Sequence, residues 1–313
     1  NIVYSGATQG WIPLDDDVVA DAAVAPPTQK GIFGYGDAGG DLSMTNLVNS
    51  SGVIATDVSG VGTARYQAAA AGYGLDKAIV GYGYAGGEVS MTNLVSNSGV
   101  VAADVTGVGA ARHGLGAVTY GTDKAIFGYG TTGSAASLTN LVSNSGVVSA
   151  DVTGVGSARW ELAAAKYGTD KGIFAYGYIT GMVSMSNLVS NTGVVATDVT
   201  GVGTARKELA AAGYGSTGQA IFAYGYTTGA VSMSNLVSSS GVVAADVTGV
   251  GTARKGAGAC AYGGDKAIFG YGSTGSVVSM SNLVSSSGVI ASDVTGVGTA
   301  RQLVVAAGYS ITA

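Results

Sequence analysis

The stretch Lys171–Arg206 reads KGIFAYGYITGMVSMSNLVSNTGVVATDVTGVGTAR, and nearly the same text recurs along the chain. Two anchors fix the period. A Gly-Thr-Ala-Arg motif or close variant ends at Arg65, Arg112, Arg159, Arg206, Arg254 and Arg301, and Asn-Leu-Val begins at Asn46, Asn93, Asn140, Asn187, Asn235 and Asn282. Both series advance by 47, 47, 47, 48 and 47 residues, the extra residue falling near Ser216, Thr217 and Gly218, where a surface turn tolerates insertion. Around the quoted copy, Trp160–Tyr167, Lys171–Gly177, Val183–Ser190 and Gly193–Thr200 are short apolar bursts separated by Gly, Asn, Asp and Ser. That pattern suits strands and turns, and Glu161–Ala165 is too short to stand alone as a helix. Four strands per repeat of this length is the size of a β-propeller blade.

The two ends bear on how the array terminates. No counterpart of Tyr66–Tyr73 precedes Lys30, whereas an additional copy, Gln302–Tyr309, follows Arg301. The sequence therefore predicts an all-β, six-bladed β-propeller of four-stranded blades, closed by a C-terminal strand that completes the first blade. Closure hides sheet edges that would otherwise recruit other chains. Repeats begin at residues 30, 77, 124, 171, 219 and 266 and the propeller runs over 30–313. Residues 1–29, with Trp11, Pro13, Pro26 and Pro27, are expected to form an extended N-terminal tether from another part of a larger protein.

Composition narrows the chemistry. Glycine accounts for 54 of 313 residues and charged residues for 11%, which disfavours helices, while 47% hydrophobic residues disfavour disorder. Net charge is -5 with only 14 Lys and Arg, so binding to a nucleic-acid backbone is not expected. No apolar run is long enough to insert in a membrane as a helix. The only cysteine, Cys260, excludes an intrachain disulfide and sits where other copies carry Ala or Val. The only histidine, His113, cannot build a multi-His metal site, and no metal or cofactor is expected. Catalytic residues are not expected either. The six arginines hold one equivalent position and only Glu88, Glu161 and Glu208 represent glutamate, which argues against a sialidase-like arrangement of unequal arginines with a Tyr/Glu pair.

Residues that recur in every copy read as structural. Arg65, Arg112, Arg159, Arg206, Arg254 and Arg301 are expected to hold blade junctions through charge-assisted hydrogen bonds to backbone carbonyls or a nearby Asp. An aspartate lies eight residues before each of them, from Asp57 to Asp293, as a turn residue or an arginine partner. Tyrosines at the Tyr35 and Tyr73 positions of every copy are expected to pack between blades. Residues that differ between copies are more informative. They follow each arginine (Tyr66, His113, Trp160, Lys207, Lys255, Gln302) or occupy the loop after the Gly-Tyr-Gly strand, as do Tyr84, Tyr178 and Tyr226. An up-and-down blade puts both regions at one end, so Tyr66, Tyr84, Trp160, Tyr178 and Tyr226 are candidate binding residues on a variable face.

The strand order, in Arg206-Lys-Glu-Leu-Ala-Ala-Ala-Gly-Tyr-Gly and then Ala220-Ile-Phe-Ala-Tyr-Gly, resembles the kelch-type propeller over residues 30–309. It departs from kelch in reducing the glycine doublet to Gly-Tyr-Gly and in lacking the outer-strand Trp. The wording of Lys124–Gly130, Asn93–Asn97 and Val199–Arg206 resembles repeats of phage tail-fibre and virion structural proteins, and the opening Tyr4–Pro13 is similar to short segments that precede such domains. That resemblance implies a non-enzymatic virion structural or attachment protein (tail fibre, decoration or receptor-binding propeller), on the virion or extracellular. Its implied partners are other virion proteins and a host surface receptor or glycan. The alternative is a secreted, lectin-like sugar-binding propeller with equivalent pockets between blades; a glycosidase is a distant third.

Overall fold

Burial alternates along the strand that follows each arginine: Ala69, Ala71 and Tyr73 are buried while Ala70 and Gly72 are only partly so, and the pattern repeats in every copy. The next strand, typified by Lys77–Tyr84, is buried almost throughout, as the middle strand of a sheet covered on both faces must be. The computed structural model describes residues 2–4, 11–13 and 28–313, and among these there is no helix.

Six three-stranded antiparallel sheets stand in a propeller-like arrangement. The first joins Val305–Tyr309, Lys30–Asp37 and Asp41–Val48, and the second joins Ala69–Tyr73, Lys77–Tyr84 and Glu88–Val95. The third comprises Gly116–Tyr120, Lys124–Gly128 and Thr139–Val142, and the fourth Ala163–Tyr167, Lys171–Ala175 and Ser186–Val189. The fifth comprises Ala210–Tyr214, Gln219–Ala223 and Ser234–Val237, and the sixth Gly258–Tyr262, Lys266–Gly270 and Ser281–Val284. In the first sheet Val305 pairs with Gly34 and Tyr309 with Lys30, the register that Ala69–Gly81 and Tyr73–Lys77 have in the second.

The expected fourth strand of each blade is not a strand. Val53–Val58 meets Asp41–Val48 only at two isolated bridges, Val48–Ile54 and Thr45–Val58. Between them the Asn46 side chain takes the place of the ladder, its amide donating to the Ala55 carbonyl (3.0 Å) and to the Asp57 carboxylate (2.9 Å). Between the bridges three residues, Ala55–Asp57, stand opposite two, Asn46 and Leu47, so the segment is bulged. Val53 and Val58 are exposed, and such a bulge blunts what would be an apolar edge open to pairing with another chain.

The core is divided into six apolar clusters, each shared by two neighbouring sheets. The cluster between the sixth and first sheets contains Phe33, Ile54, Cys260, Tyr262, Tyr271 and Val304 and is built like the others. Cys260 is fully enclosed there, and burial pushes its thiol up to about 12. Tyr35 and its five equivalents adopt left-handed backbone (φ 57 to 66°), an uncommon conformation for an aromatic residue, which turns the ring into the junction between sheets. The Tyr73 series packs on the turn glycine of the next sheet: a Cβ at Gly146, itself at φ +82°, would collide with the Tyr73 ring.

At the end where the arginines lie, the backbone forms a hydrogen-bonded cycle. Gly114 donates to Gln67, Glu161 to Gly114, Glu208 to Glu161, Gly256 to Glu208, Leu303 to Gly256 and Gln67 to Leu303, over 2.6 to 3.3 Å. All six residues have positive φ, between 48 and 62°.

The arginines are completely buried and reach from one sheet to the next. Arg65 lies over the Tyr35 ring at 4.4 Å, donates from Nε to the Tyr82 carbonyl (2.8 Å) and from its two terminal nitrogens to the Thr63 carbonyl (3.0 Å) and Asn93 Oδ1 (2.6 Å). Arg301 repeats the scheme onto the first sheet, through the Tyr35 carbonyl and Asn46, while lying over Tyr271. The aspartate beside each arginine is not the one eight residues before it. Asp104 faces Arg65 at 3.9 Å and accepts from the Thr63 amide and hydroxyl (3.0 and 2.7 Å); Asp57 does the same for Arg301 and Thr299. Each aspartate thus serves the arginine of the preceding copy.

These contacts have an acid signature. Burial is the largest influence on Asp57, Asp104, Asp198, Asp246 and Asp293 and favours the neutral form, but hydrogen bonds from Thr or Ser and from Asn, with the facing arginine, outweigh it and hold each below the ordinary 3.8. A carboxylate lowered by folding contributes stability above its unfolded value and loses it as pH falls through the folded one. The melting temperature should therefore hold from about pH 7 to the ordinary aspartate range and then fall steeply toward about pH 2. Asp104→Asn should melt lower at neutral pH and lose part of the acid slope; a melting temperature unchanged down to about pH 2 would contradict this account.

The N-terminal segment falls mostly outside the described residues, including Pro26 and Pro27. Of it, Ile2–Tyr4 pairs antiparallel with Trp11–Pro13. The carbonyls of Thr28 and Gln29 accept from Gly264 (2.9 Å) and Gly263 (3.0 Å), which binds these residues to the sixth sheet.

Candidate functional site

The two variable regions are paired residue by residue. Just beyond the regular ladders, Tyr66 bridges Tyr84, His113 bridges Thr131, Trp160 bridges Tyr178, Lys207 bridges Tyr226, Lys255 bridges Ser273 and Gln302 bridges Asp37. The bonds are reciprocal, as in Tyr84 N–H to the Tyr66 carbonyl (2.9 Å) and Tyr178 N–H to the Trp160 carbonyl (2.8 Å). The near-invariant arginine and Gly-Tyr-Gly strand hold these backbones in place, and the side chains that vary stand at the rim.

Across the second to fifth sheets those side chains join into one arc. Ring centroids lie 5.4 Å apart for Tyr66–Tyr84, 5.3 Å for Tyr84–His113, 5.9 Å for His113–Trp160 and 5.9 Å for Trp160–Tyr178. The Lys207 ammonium continues it, 5.4 Å from the Trp160 ring and 5.1 Å from Tyr178, and Lys255 sits 5.0 Å from Tyr226. All these residues are partly buried, as edge-on rings in mutual contact must be. Tyr66, Tyr84, Trp160 and Tyr178 are thus joined through His113, with Lys207 at the end of the row, and Tyr226 adjoins it through its backbone bridge to Lys207 and its contact with Lys255.

An acidic layer beneath the arc was not singled out from the sequence. Glu161 and Glu208, members of the backbone cycle, face the lysines: Lys207 Nζ is 2.7 Å from Glu161 Oε2 and Lys255 Nζ 3.1 Å from Glu208 Oε2. Gln67 donates to Glu161 Oε1 at 2.9 Å. Burial raises the Glu161 carboxyl above its ordinary value, although Lys207 draws it down. Burial would depress Lys207, but Glu161 and Glu208 hold its ammonium above the ordinary range. Burial lowers His113, with Glu88 at 3.7 Å pulling the other way. The signal available in the sequence was the column two residues after each arginine, Gln67, Gly114, Glu161, Glu208, Gly256 and Leu303, where acidic residues appear in adjacent copies.

The arrangement offers an aromatic platform with paired charges. Among the described residues no three His, Cys, Asp or Glu side chains come together as metal ligands. No protein-family model matches the chain, and no curated protein matches it.

Proposed function

We propose that the chain is a six-bladed β-propeller, closed where Val305–Tyr309 completes the first blade, that serves as a non-enzymatic structural or attachment module on the surface of a phage virion. Closure is supported by the backbone cycle that returns from Leu303 to Gln67, by the Arg301 contacts to the first sheet and by the apolar cluster between the sixth and first sheets. The attachment role rests on one observation above others. In units otherwise nearly identical, many of the residues that differ stand at one end, and those of the aromatic–lysine arc contact one another there. Aromatic rings flanked by cations are the residue types that anchor macromolecular interfaces. The virion setting follows from the likeness of the repeat text to phage tail-fibre and virion proteins. Partners on this reading are other virion proteins and a host receptor or glycan.

The test replaces Trp160, Tyr178 and Tyr226 by alanine together and measures adsorption of particles to host cells. Adsorption should fall about tenfold or more, as expected for loss of two or three interface anchors, while melting shifts little. Unchanged adsorption would remove the receptor face and leave only a structural role. The lectin-like reading needs equivalent pockets between blades, whereas the arc occupies part of one end; several equal, weak sites in a glycan titration would favour the lectin. Turnover of a glycoside by the purified chain would overturn the non-enzymatic reading.

A further inference from the structure

At the opposite end from the arc, the strands that follow the arginines border a cavity of about 670 Å³, within the usual size range of small-molecule sites. Strands of all six sheets contribute to it, so it lies where they converge, and Thr28 and Gln29 stand at its mouth. Its wall is made of small residues, with Ala70, Ala117, Ala164 and Ala259 among them. The next tier holds Gly72, Thr119, Gly213, Ala261 and Gly308, and in the sixth equivalent position Lys166. A long cation in a column of small residues breaks the repeat at one place.

Its surroundings set Lys166 apart. Lys77, Lys124, Lys171, Lys207, Lys255 and Lys266 each lie within 4 Å of a carboxylate; among the described residues Lys30 and Lys166 do not, and of these two only Lys166 lines the cavity. Thr119 does not compensate, since its hydroxyl donates to the Gly72 carbonyl at 2.8 Å. Burial depresses the Lys166 ammonium, with Asp170 a weaker opposing influence. At the mouth, Lys266 is matched by Asp265 at 3.0 Å. The cavity is apolar along its alanine tier and polar toward Thr28, Thr169, Ser216 and Gln219, and its one unmatched ammonium complements a ligand with one negative charge and an apolar body; a polyanion would find only one further cation, Lys266, already held by Asp265.

We infer that this cavity binds a slender monocarboxylate, its carboxylate at Lys166 and its apolar body along the alanine wall. The inference is independent of what the aromatic arc binds, since the two lie at opposite ends. Octanoate is the probe, titrated calorimetrically into the full chain beside 1-octanol and inorganic phosphate. Wild type should bind octanoate, and Lys166→Met should bind it about tenfold more weakly, the loss expected for one charge-assisted hydrogen bond. Lys166→Met should bind 1-octanol as wild type does. Lys124→Met, which alters an exposed lysine paired with Asp123, should leave octanoate binding unchanged. In reductively ¹³C-methylated wild-type protein the Lys166 resonance should shift on adding octanoate, a readout that stands even where a variant fails to fold. No octanoate binding, equal binding by wild type and Lys166→Met, or a Lys166 resonance that does not move would each overturn the proposal. Phosphate binding tighter than octanoate would overturn the assignment of an apolar ligand body.

Discussion

Removal of residues 302–313 is expected to abolish the cooperative unfolding transition, or to lower its midpoint by more than about 20 °C, and to leave an aggregating chain. The segment supplies a strand whose Val305, Ala307 and Tyr309 are buried and whose ladder runs from Val305–Gly34 to Tyr309–Lys30. A buried aromatic residue alone is worth about 3–5 kcal/mol, and burying a valine about 1.5–3 kcal/mol more. With the lost ladder bonds, the sum approaches the roughly 5–15 kcal/mol that separates folded from unfolded domains. The deletion also uncovers the edge of Lys30–Asp37, which invites pairing with other copies. Circular dichroism melting and size-exclusion chromatography read both effects. Trimming only Ile311–Ala313, which are exposed, should change little. A circular permutant that places Gln302–Tyr309 before Lys30 should recover the transition, because the strand then joins its sheet without depending on the far end of the chain. If the deletion variant melts like the intact chain, the proposed closure is wrong.

Repetition made much of this molecule readable and hid some of the rest. The Arg and Asn-Leu-Val anchors fixed the period, and the surplus copy at Gln302–Tyr309 anticipated a strand that pairs with Lys30–Asp37 in the register of its equivalents. The number of ladder-forming strands was not readable. The fourth burst has strand-like composition, and only the insertion of the Asn46 amide between Ala55 and Asp57 interrupts its pairing. The partner of each aspartate was hidden for a different reason. In a repeat of fixed period, the arginine eight residues on and the one in the preceding copy occupy the same column, so spacing cannot separate them; packing selects the second. The aromatic arc was half legible. The up-and-down course of the strands put the variable residues at one end, but the order Tyr84–His113–Trp160 requires the twist between neighbouring sheets. Lys166 was not legible as a site residue because recurrence carries the fold, and one departure in a column of glycine, alanine and threonine has the same spacing as the rest.

The arginine network yields the second large effect. Arg65→Ala should lower the melting temperature by about 10 °C, corresponding to about 3–5 kcal/mol for removing one partner from a buried charged network at roughly 2–4 °C per kcal/mol. The loss leaves Asn93 Oδ1 and the Tyr82 and Thr63 carbonyls without their donor and empties the space over the Tyr35 ring. Arg65→Lys should recover only a minor part, because an ammonium cannot reach three acceptors in the planar fork and cannot stack in the same way. Distances rank the partners. Asn93 lies at 2.6 Å and Asp104 at 3.9 Å, so a double-mutant cycle should give strong coupling of Arg65 to Asn93 and weak coupling to Asp104. Arg301 is the informative comparison. It makes the same bonds, but to Tyr35 and Asn46 some 260 residues away along the chain, where Arg65 reaches partners only 17 and 28 residues distant. If the first and last sheets meet in solution as tightly as any other pair, Arg301→Ala must cost as much as Arg65→Ala. A markedly cheaper Arg301→Ala, with Arg65→Ala still costly, would mean that this one junction stands open while the others hold.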